Sequence, residues 1–153
     1  MKIVIAQVLF IVLLISFASF SIAQTAKKDW EKTATIPSGG VILDMSGEWN
    51  FRNEFYGPFY WVEPVEYTAV IKQEGTKFIG VMLTETKWGG KDTETIKGEL
   101  DKNGFKTVYK RVHEVGTWDD VYVWELCKWE ISEHGNKVML DCGERIKSTV
   151  KRK

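Results

Sequence analysis

Short runs of alternating apolar and polar residues, separated by turn-forming residues, fill most of the chain from Gly47 onwards. Glu74-Gly75-Thr76 and Asp101-Lys102-Asn103-Gly104 each separate two such runs, and sequences of this kind favour tight β-hairpins. No stretch of ten or more residues combines a helical apolar period with capping residues, so no long helix is expected. The pattern predicts eight strands, at residues 47–52, 66–73, 77–85, 94–100, 105–114, 121–131, 137–142 and 145–151.

Consecutive hairpins without a long crossover predict how these strands are connected. We expect an all-β domain over residues 46–153, an eight-stranded antiparallel up-and-down (meander) barrel, because closure removes the exposed edges of a sheet. Residues 24–45 precede it as an N-terminal arm that is polar at first and broken at Pro37-Ser38-Gly39-Gly40. We expect this arm to be flexible and to end in a short edge strand.

The first 23 residues have the pattern of a cleavable signal peptide. Lys2 precedes an apolar run, and the small residues Ser21 and Ala23 lie three and one residues before a cut ahead of Gln24. The alternative is a transmembrane anchor, which needs about 20 consecutive apolar residues, but this run ends earlier in serine-rich sequence. We therefore expect a protein exported to the periplasm or the extracellular medium, with no membrane span after cleavage.

Charge and motif content disfavour several classes of function. The chain has 21 basic and 21 acidic residues, so no electrostatic footprint for nucleic acid is present. Its two histidines, His113 and His134, form no His-x-His pair, and Cys-x-x-Cys, nucleophile-elbow and phosphate-loop motifs are missing. We expect no enzyme, no metal site and no cofactor.

The two cysteines, Cys127 and Cys142, are expected to form a disulfide because exported proteins favour one. A hairpin centred between His134 and Gly135 places them opposite each other on one face. An ideal two-residue turn would make them a hydrogen-bonded pair, in which the strands are farther apart than a disulfide prefers. A four-residue loop or a bulge would change the kind of pair and relieve the strain. The alternative is two buried free thiols.

Polar candidates for the barrel interior lie on two neighbouring predicted strands. The face of strand 121–131 that carries Cys127 also carries Glu125, while the opposite face carries more charge, so Glu125 is expected to point inward. Tyr109 and Arg111 lie on one face of strand 105–114, and an arginine inside a barrel can bind a ligand carboxylate. In the alternative, which we favour, the other face of this strand points inward, so that Val108 and Val112 lie inside and Arg111 is solvated.

Aromatic residues are concentrated between Trp49 and Trp61. Trp49, Phe51, Tyr60 and Trp61 are candidates for the aromatic wall or lid of an apolar ligand site. An equally weighted alternative is a loop folded over the barrel as additional core, because a cavity wall and a core share the same chemistry.

Three segments resemble the calycin superfamily, which comprises lipocalins, fatty-acid-binding proteins and avidins. Gly47-Glu48-Trp49 is similar to its Gly-x-Trp motif, 78–84 to the third avidin strand, and 146–150 to the last avidin strand. The resemblance to lipocalin-like and avidin-like bacterial barrels implies that Trp49 closes one end, with Lys147 or Arg145 packed over its ring. The helix pair of fatty-acid-binding proteins, the C-terminal lipocalin helix and the complete avidin biotin site are not found.

Three classes of function remain after these considerations. The leading hypothesis is a secreted or periplasmic binding protein that holds a small apolar or amphipathic molecule inside the barrel. That hypothesis requires a cavity near the lower bound of about 300 Å³ for ligand sites, and in a barrel packed solid with side chains the protein-interaction alternative would lead. The alternative is a protein-interaction or inhibitor barrel without a small-molecule ligand, in which the arm or a loop inserts into a protein partner. An enzyme with a catalytic cavity is the third class and would need an inward histidine or acid pair.

Overall fold

The computed structural model describes residues 29–86, 89–113 and 121–153. The predicted signal peptide, residues 1–23, lies outside the described residues, as does the beginning of the arm. No helix in the described ranges is long and apolar enough to cross a membrane.

The described residues form eleven β-strands and two short 3₁₀ turns, Gly57–Phe59 and Glu133–Gly135. In chain order the strands are β1 (Thr33–Thr35), β2 (Val41–Leu43), β3 (Gly47–Phe55), β4 (Val65–Glu74), β5 (Lys77–Met82), β6 (Glu94–Asp101), β7 (Gly104–His113), β8 (Tyr122–Leu126), β9 (Lys128–Ser132), β10 (Lys137–Cys142) and β11 (Ile146–Arg152). All paired strands are antiparallel.

Strands β3 to β11 form a nearly closed up-and-down barrel, which confirms the predicted fold class. Its sheet order is β8-β7-β6-β5-β4-β3-β11-β10-β9, so the two ends of the sheet are consecutive in the chain. The sheet has nine strands instead of eight because the predicted strand 121–131 is interrupted at Cys127. Before the interruption, β8 pairs with β7, and after it, β9 pairs with β10.

The predicted disulfide between Cys127 and Cys142 is present and lies at this interruption. The register of β9 and β10 pairs Ser132 with Lys137 around a four-residue connection, so the two cysteines come directly opposite each other. Their Cα atoms are 4.1 Å apart. This distance is closer to the roughly 4.5 Å of a non-hydrogen-bonded pair than to the roughly 5.5 Å of a hydrogen-bonded one.

One end of the barrel is closed by side chains from the N-terminal arm. Leu43 and Met45 of the arm are fully buried, and Trp49 beneath them is fully buried as well. The indole Nε1 of Trp49 donates to the Met45 carbonyl oxygen at 2.8 Å. The amide of Glu31 donates to the His134 carbonyl oxygen at 2.8 Å. The described part of the arm is therefore packed and hydrogen-bonded against the barrel, unlike the flexible segment that the sequence suggested.

The cation over the Trp49 ring is Arg152, and the expectation of Lys147 or Arg145 there is wrong. The Arg152 guanidinium carbon lies 4.3 Å from the ring centroid. The register of β3 and β11 explains the difference, because it pairs Arg152 with Trp49 and Lys147 with Glu54. Arg145 precedes β11 and lies at the opposite, open end of the barrel.

Candidate functional site at the open end of the barrel

The open end of the barrel contains a cavity of about 80 Å³. It lies where the ends of β3, β4, β5, β6, β7, β8 and β11 meet. One part of its wall is apolar and the other part is polar. The main apolar side chains are those of Phe55, Val65, Met82, Val112 and Ile146. The main polar side chains are those of Asn53, Tyr67, Glu94, Thr95, Lys110, Arg111 and Arg145.

Two β-bulges decide which polar side chains point into this cavity. Between β5 and β6, Gly80 pairs with Ile96 and Val81 pairs with Glu94, so Thr95 is the extra residue. Thr95 is therefore buried together with its neighbour Ile96, although alternate strand residues normally face opposite sides. Bulges of this kind redirect a side chain, and here the Thr95 hydroxyl is turned inward.

The second bulge reverses the alternation of β7. Leu100 pairs with Phe105 and Glu99 pairs with Thr107, which leaves Lys106 as the extra residue. Phe105 and Val108 are therefore both buried despite their odd spacing. Beyond the bulge, the even-numbered residues of β7 face inward, and this brings Lys110 into the interior.

Lys110 is only 2% exposed, and it lies at the floor of the cavity. Its Nζ donates to the Tyr67 hydroxyl oxygen at 2.6 Å and to the Thr95 hydroxyl oxygen at 2.7 Å. The two hydroxyl oxygens are themselves 2.6 Å apart. In the described part of the chain, no carboxylate lies within 4.0 Å of this amine. A buried cation without a paired carboxylate is costly, and the hydrogen bonds to the hydroxyl oxygens offset part of that cost.

The aromatic rings below Lys110 complete the floor. Phe51 is 1% exposed and stacks on Tyr67 with ring centroids 5.0 Å apart. The Lys110 amine lies 5.5 Å from the Phe51 centroid and 5.3 Å from the Tyr67 centroid. Aromatic faces stabilise a nearby cation, which offsets part of the cost of burying it.

Arg145 contributes a second cation to the cavity wall. Its Nη1 atom is buried and has no hydrogen-bond partner in the part of the chain that the structure describes. The Glu125 carboxylate approaches this atom to 3.9 Å, which is an ion pair but not a hydrogen bond. Glu125 lies on the inner side of β8, as expected, but its ion-pair partner is Arg145 and not Arg111.

Of the two interpretations of strand 105–114, the structure supports the one with Val108 and Val112 inward. Tyr109 consequently lies on the outer face, and it is not among the residues that line the cavity. Arg111 is on the same outer face but close to the rim, where its guanidinium carbon lies 4.4 Å from the Tyr122 ring centroid. It therefore contributes to the mouth of the cavity and not to its floor.

The aromatic candidates are spread over three places. Trp49 lies at the closed end, and Phe51 lies in the core below Lys110. Tyr60 and Trp61 stand in the loop that joins β3 to β4 at the open end, and they are 79% and 67% exposed. This loop is not additional core at these two positions, because both side chains face solvent.

Sequence reasoning missed Lys110, Tyr67, Thr95 and Arg145 as a group. Lys110 stands between Val108 and Val112 at two-residue spacing, and this alternation could have identified it. The inward orientation of the Thr95 side chain depends on the bulge between β5 and β6, and no residue pattern in the sequence predicts that bulge. Among the described residues, no group of three or more histidine, cysteine or acidic side chains could hold a metal ion.

No family model, no curated protein and no solved structure matches the chain.

Proposed function

We propose that this chain is an exported binding protein of the calycin type, which receives a small amphipathic molecule at the open end of its barrel. The observation that carries the proposal is the cavity at that end, where an apolar wall faces a buried polar cluster. Sites for small molecules combine these two kinds of surface, because apolar area provides affinity and a few polar groups fix orientation.

The size of the cavity limits how such a ligand would sit. Its volume of about 80 Å³ is below the roughly 300 Å³ of sites that enclose a whole ligand. The requirement for a ligand held fully inside the barrel is therefore not met, since Trp49, Phe51 and Leu100 fill the interior, and the ligand is placed at the open end instead. In the proposed mode the polar end enters the cavity, and the apolar body leaves along Phe55, Val65 and Ile146.

Support for the calycin assignment comes from the Gly-x-Trp segment. Trp49 is fully buried at the closed end, and a cation from the last strand lies over its ring. The up-and-down topology also fits this superfamily. Export is supported by the residue pattern before Gln24 and is compatible with the disulfide.

A protein-interaction barrel is the second candidate, and the exposed aromatic loop favours it. Tyr60 and Trp61 are the kind of side chain that is enriched at protein interfaces. In this alternative the cavity would be incidental, and the loop would bind a protein partner.

A thermal-shift experiment with one cavity-filling variant separates the two candidates. Amphipathic molecules such as octanol and octanoate should raise the melting temperature, because a ligand at 100 times its Kd adds about 2.7 kcal/mol of stability. Val65→Trp should abolish the shift, because Val65 lines the cavity. The matched control is Val70→Trp on the outer face of the same strand, which should keep it. A shift that survives Val65→Trp, or no shift with any molecule, would favour the protein-interaction barrel.

A further inference from the structure

The cluster of Lys110, Tyr67 and Thr95 has one hydroxyl proton more than its internal hydrogen bonds use. Lys110 donates to both hydroxyl oxygens and, at 3.4 Å, to the Thr95 carbonyl oxygen, and one hydroxyl can then donate to the other. Each hydroxyl carries a single proton. The second hydroxyl proton therefore makes no hydrogen bond within the cluster or to any other described residue. Since all three residues line the cavity, an acceptor from outside the protein would complete the cluster.

Arg145 provides an independent observation of the same kind. Its buried Nη1 atom has no hydrogen-bond partner among the described residues, the nearest carboxylate oxygen being that of Glu125 at 3.9 Å, although it belongs to the wall of the same cavity. A buried donor that stays unsatisfied costs about 1–3 kcal/mol, more for a charged group. The hydroxyl pair on β4 and β6 and the turn before β11 thus each leave one donor for something in the cavity.

The charges of the cavity wall indicate the sign of that missing group. Three cationic side chains line the cavity, Lys110, Arg111 and Arg145, against one carboxylate, Glu94, and Glu125 forms an ion pair with Arg145 from the inner side of β8. Glu94 is exposed, whereas Lys110 is 2% exposed. The buried part of the wall is therefore positive, and an anion would be stabilised there more than at the surface because water screens it less.

We propose that the cavity binds the carboxylate of an amphipathic molecule, with one carboxylate oxygen at the Tyr67–Thr95 hydroxyls above Lys110 and the other at Arg145. This inference rests on the proposed function and specifies its ligand class. A carboxylate has two oxygens and accepts a hydrogen bond at each, which matches the two donors that the protein leaves unpaired. A volume of about 80 Å³ accommodates a group of this size but not a long apolar chain.

The experiment compares three ligands that share one apolar chain and differ only in the end group: octanoate, octanol and octylammonium. Binding to the protein produced from the full-length sequence is measured by isothermal titration calorimetry at neutral pH. We expect octanoate to bind about tenfold or more tightly than octanol, and octylammonium to bind most weakly. A bidentate charge-assisted contact justifies a preference of this order.

Two variants remove one partner each. Lys110→Met keeps the apolar stem without the charge, and Arg145→Gln removes the guanidinium. Each should weaken the binding of octanoate far more than the binding of octanol, and so eliminate most of the preference for octanoate. The matched control is Arg52→Gln, whose side chain lies outside the barrel in ion pairs with Glu54 and Glu66, and it should keep the preference. If Lys110→Met does not fold, Arg145→Gln alone carries the test.

The outcomes separate this inference from the proposed function. Equal binding of octanoate and octanol, or a preference that survives Arg145→Gln, would overturn the carboxylate site and leave an apolar-ligand barrel intact. Tighter binding of octylammonium would also overturn it. If none of the three ligands binds, both the carboxylate site and the proposed function are refuted.

Discussion

Replacing Trp49 by Leu and Arg152 by Met, singly and together, measures how the closed end of the barrel is held. Trp49→Leu removes a fully buried indole and its hydrogen bond to the Met45 carbonyl, and it should cost about 3 kcal/mol. Arg152→Met removes hydrogen bonds to the carbonyl oxygens of Ser46 and Asp44. Because the guanidinium is partly exposed, we expect Arg152→Met to lower the free energy of unfolding by roughly 2–3 kcal/mol.

The double variant tests whether the two side chains act on each other. Burial lowers the pKa of the Arg152 guanidinium, while Asp44 and Glu31 oppose the shift. The group remains charged at neutral pH. A cation 4.3 Å from the ring centroid should give a coupling of about 1 kcal/mol, so the double variant should lose that much less than the sum of the single losses.

Urea unfolding of the four proteins gives each free energy of unfolding by linear extrapolation. Lys147→Met is the matched control, because Lys147 lies on the outer face of the same strand, where its ion-pair partner is Asp141. Its coupling to Trp49→Leu should be near zero. A coupling below about 0.3 kcal/mol for Arg152, or a larger value for Lys147, would refute the assignment of Arg152 as the cation over the ring.

Three further predictions concern other parts of the chain. Replacing Cys127 and Cys142 by Ala should lower the free energy of unfolding by about 3 kcal/mol. Thiol counting on the denatured, unreduced protein should find no free thiol, and two reactive thiols would contradict the disulfide. Gly98→Ala should lower the free energy of unfolding in urea by about 2 kcal/mol, because the added Cβ would overlap the Thr107 carbonyl oxygen. Its control is Gly90→Ala, which should change the free energy of unfolding by less than about 0.5 kcal/mol because no described atom lies within 4 Å of the added Cβ. The intact mass of the exported protein should correspond to a chain that begins at Gln24, and a mass that includes residues 1–23 would contradict cleavage.

Much of the fold could be predicted because local signals and global topology agree. Tight turns such as the one after Asp101 fix which strands are neighbours. The pairing of Cys127 with Cys142 followed from counting residues on either side of one turn. These predictions depend only on the order of strands and turns, which a single sequence records directly.

The polar side of the candidate site could not be predicted in the same way. An alternation counted from Phe105 places Tyr109 and Arg111 inside, but the bulge at Lys106 shifts the alternation by one residue and places Lys110 inside. A one-residue shift moves every following side chain to the other face of a strand. Both faces of β7 carry a cation, so charge could not decide between them. Arg145 was assigned to the wrong end for a similar reason, since its position depends on the register of β11 against β3.

The central claim is that the open end of the barrel is the ligand site. A heteronuclear NMR titration with octanoate tests it most directly, because it reports every residue that changes its surroundings on binding. We expect shifts that saturate at Tyr67, Thr95, Lys110 and Arg145, with none at Trp49 or in β1 and β2 at the closed end. Saturable shifts confined to the closed end or to the outer face of β8, or no saturable shift at all, would contradict it.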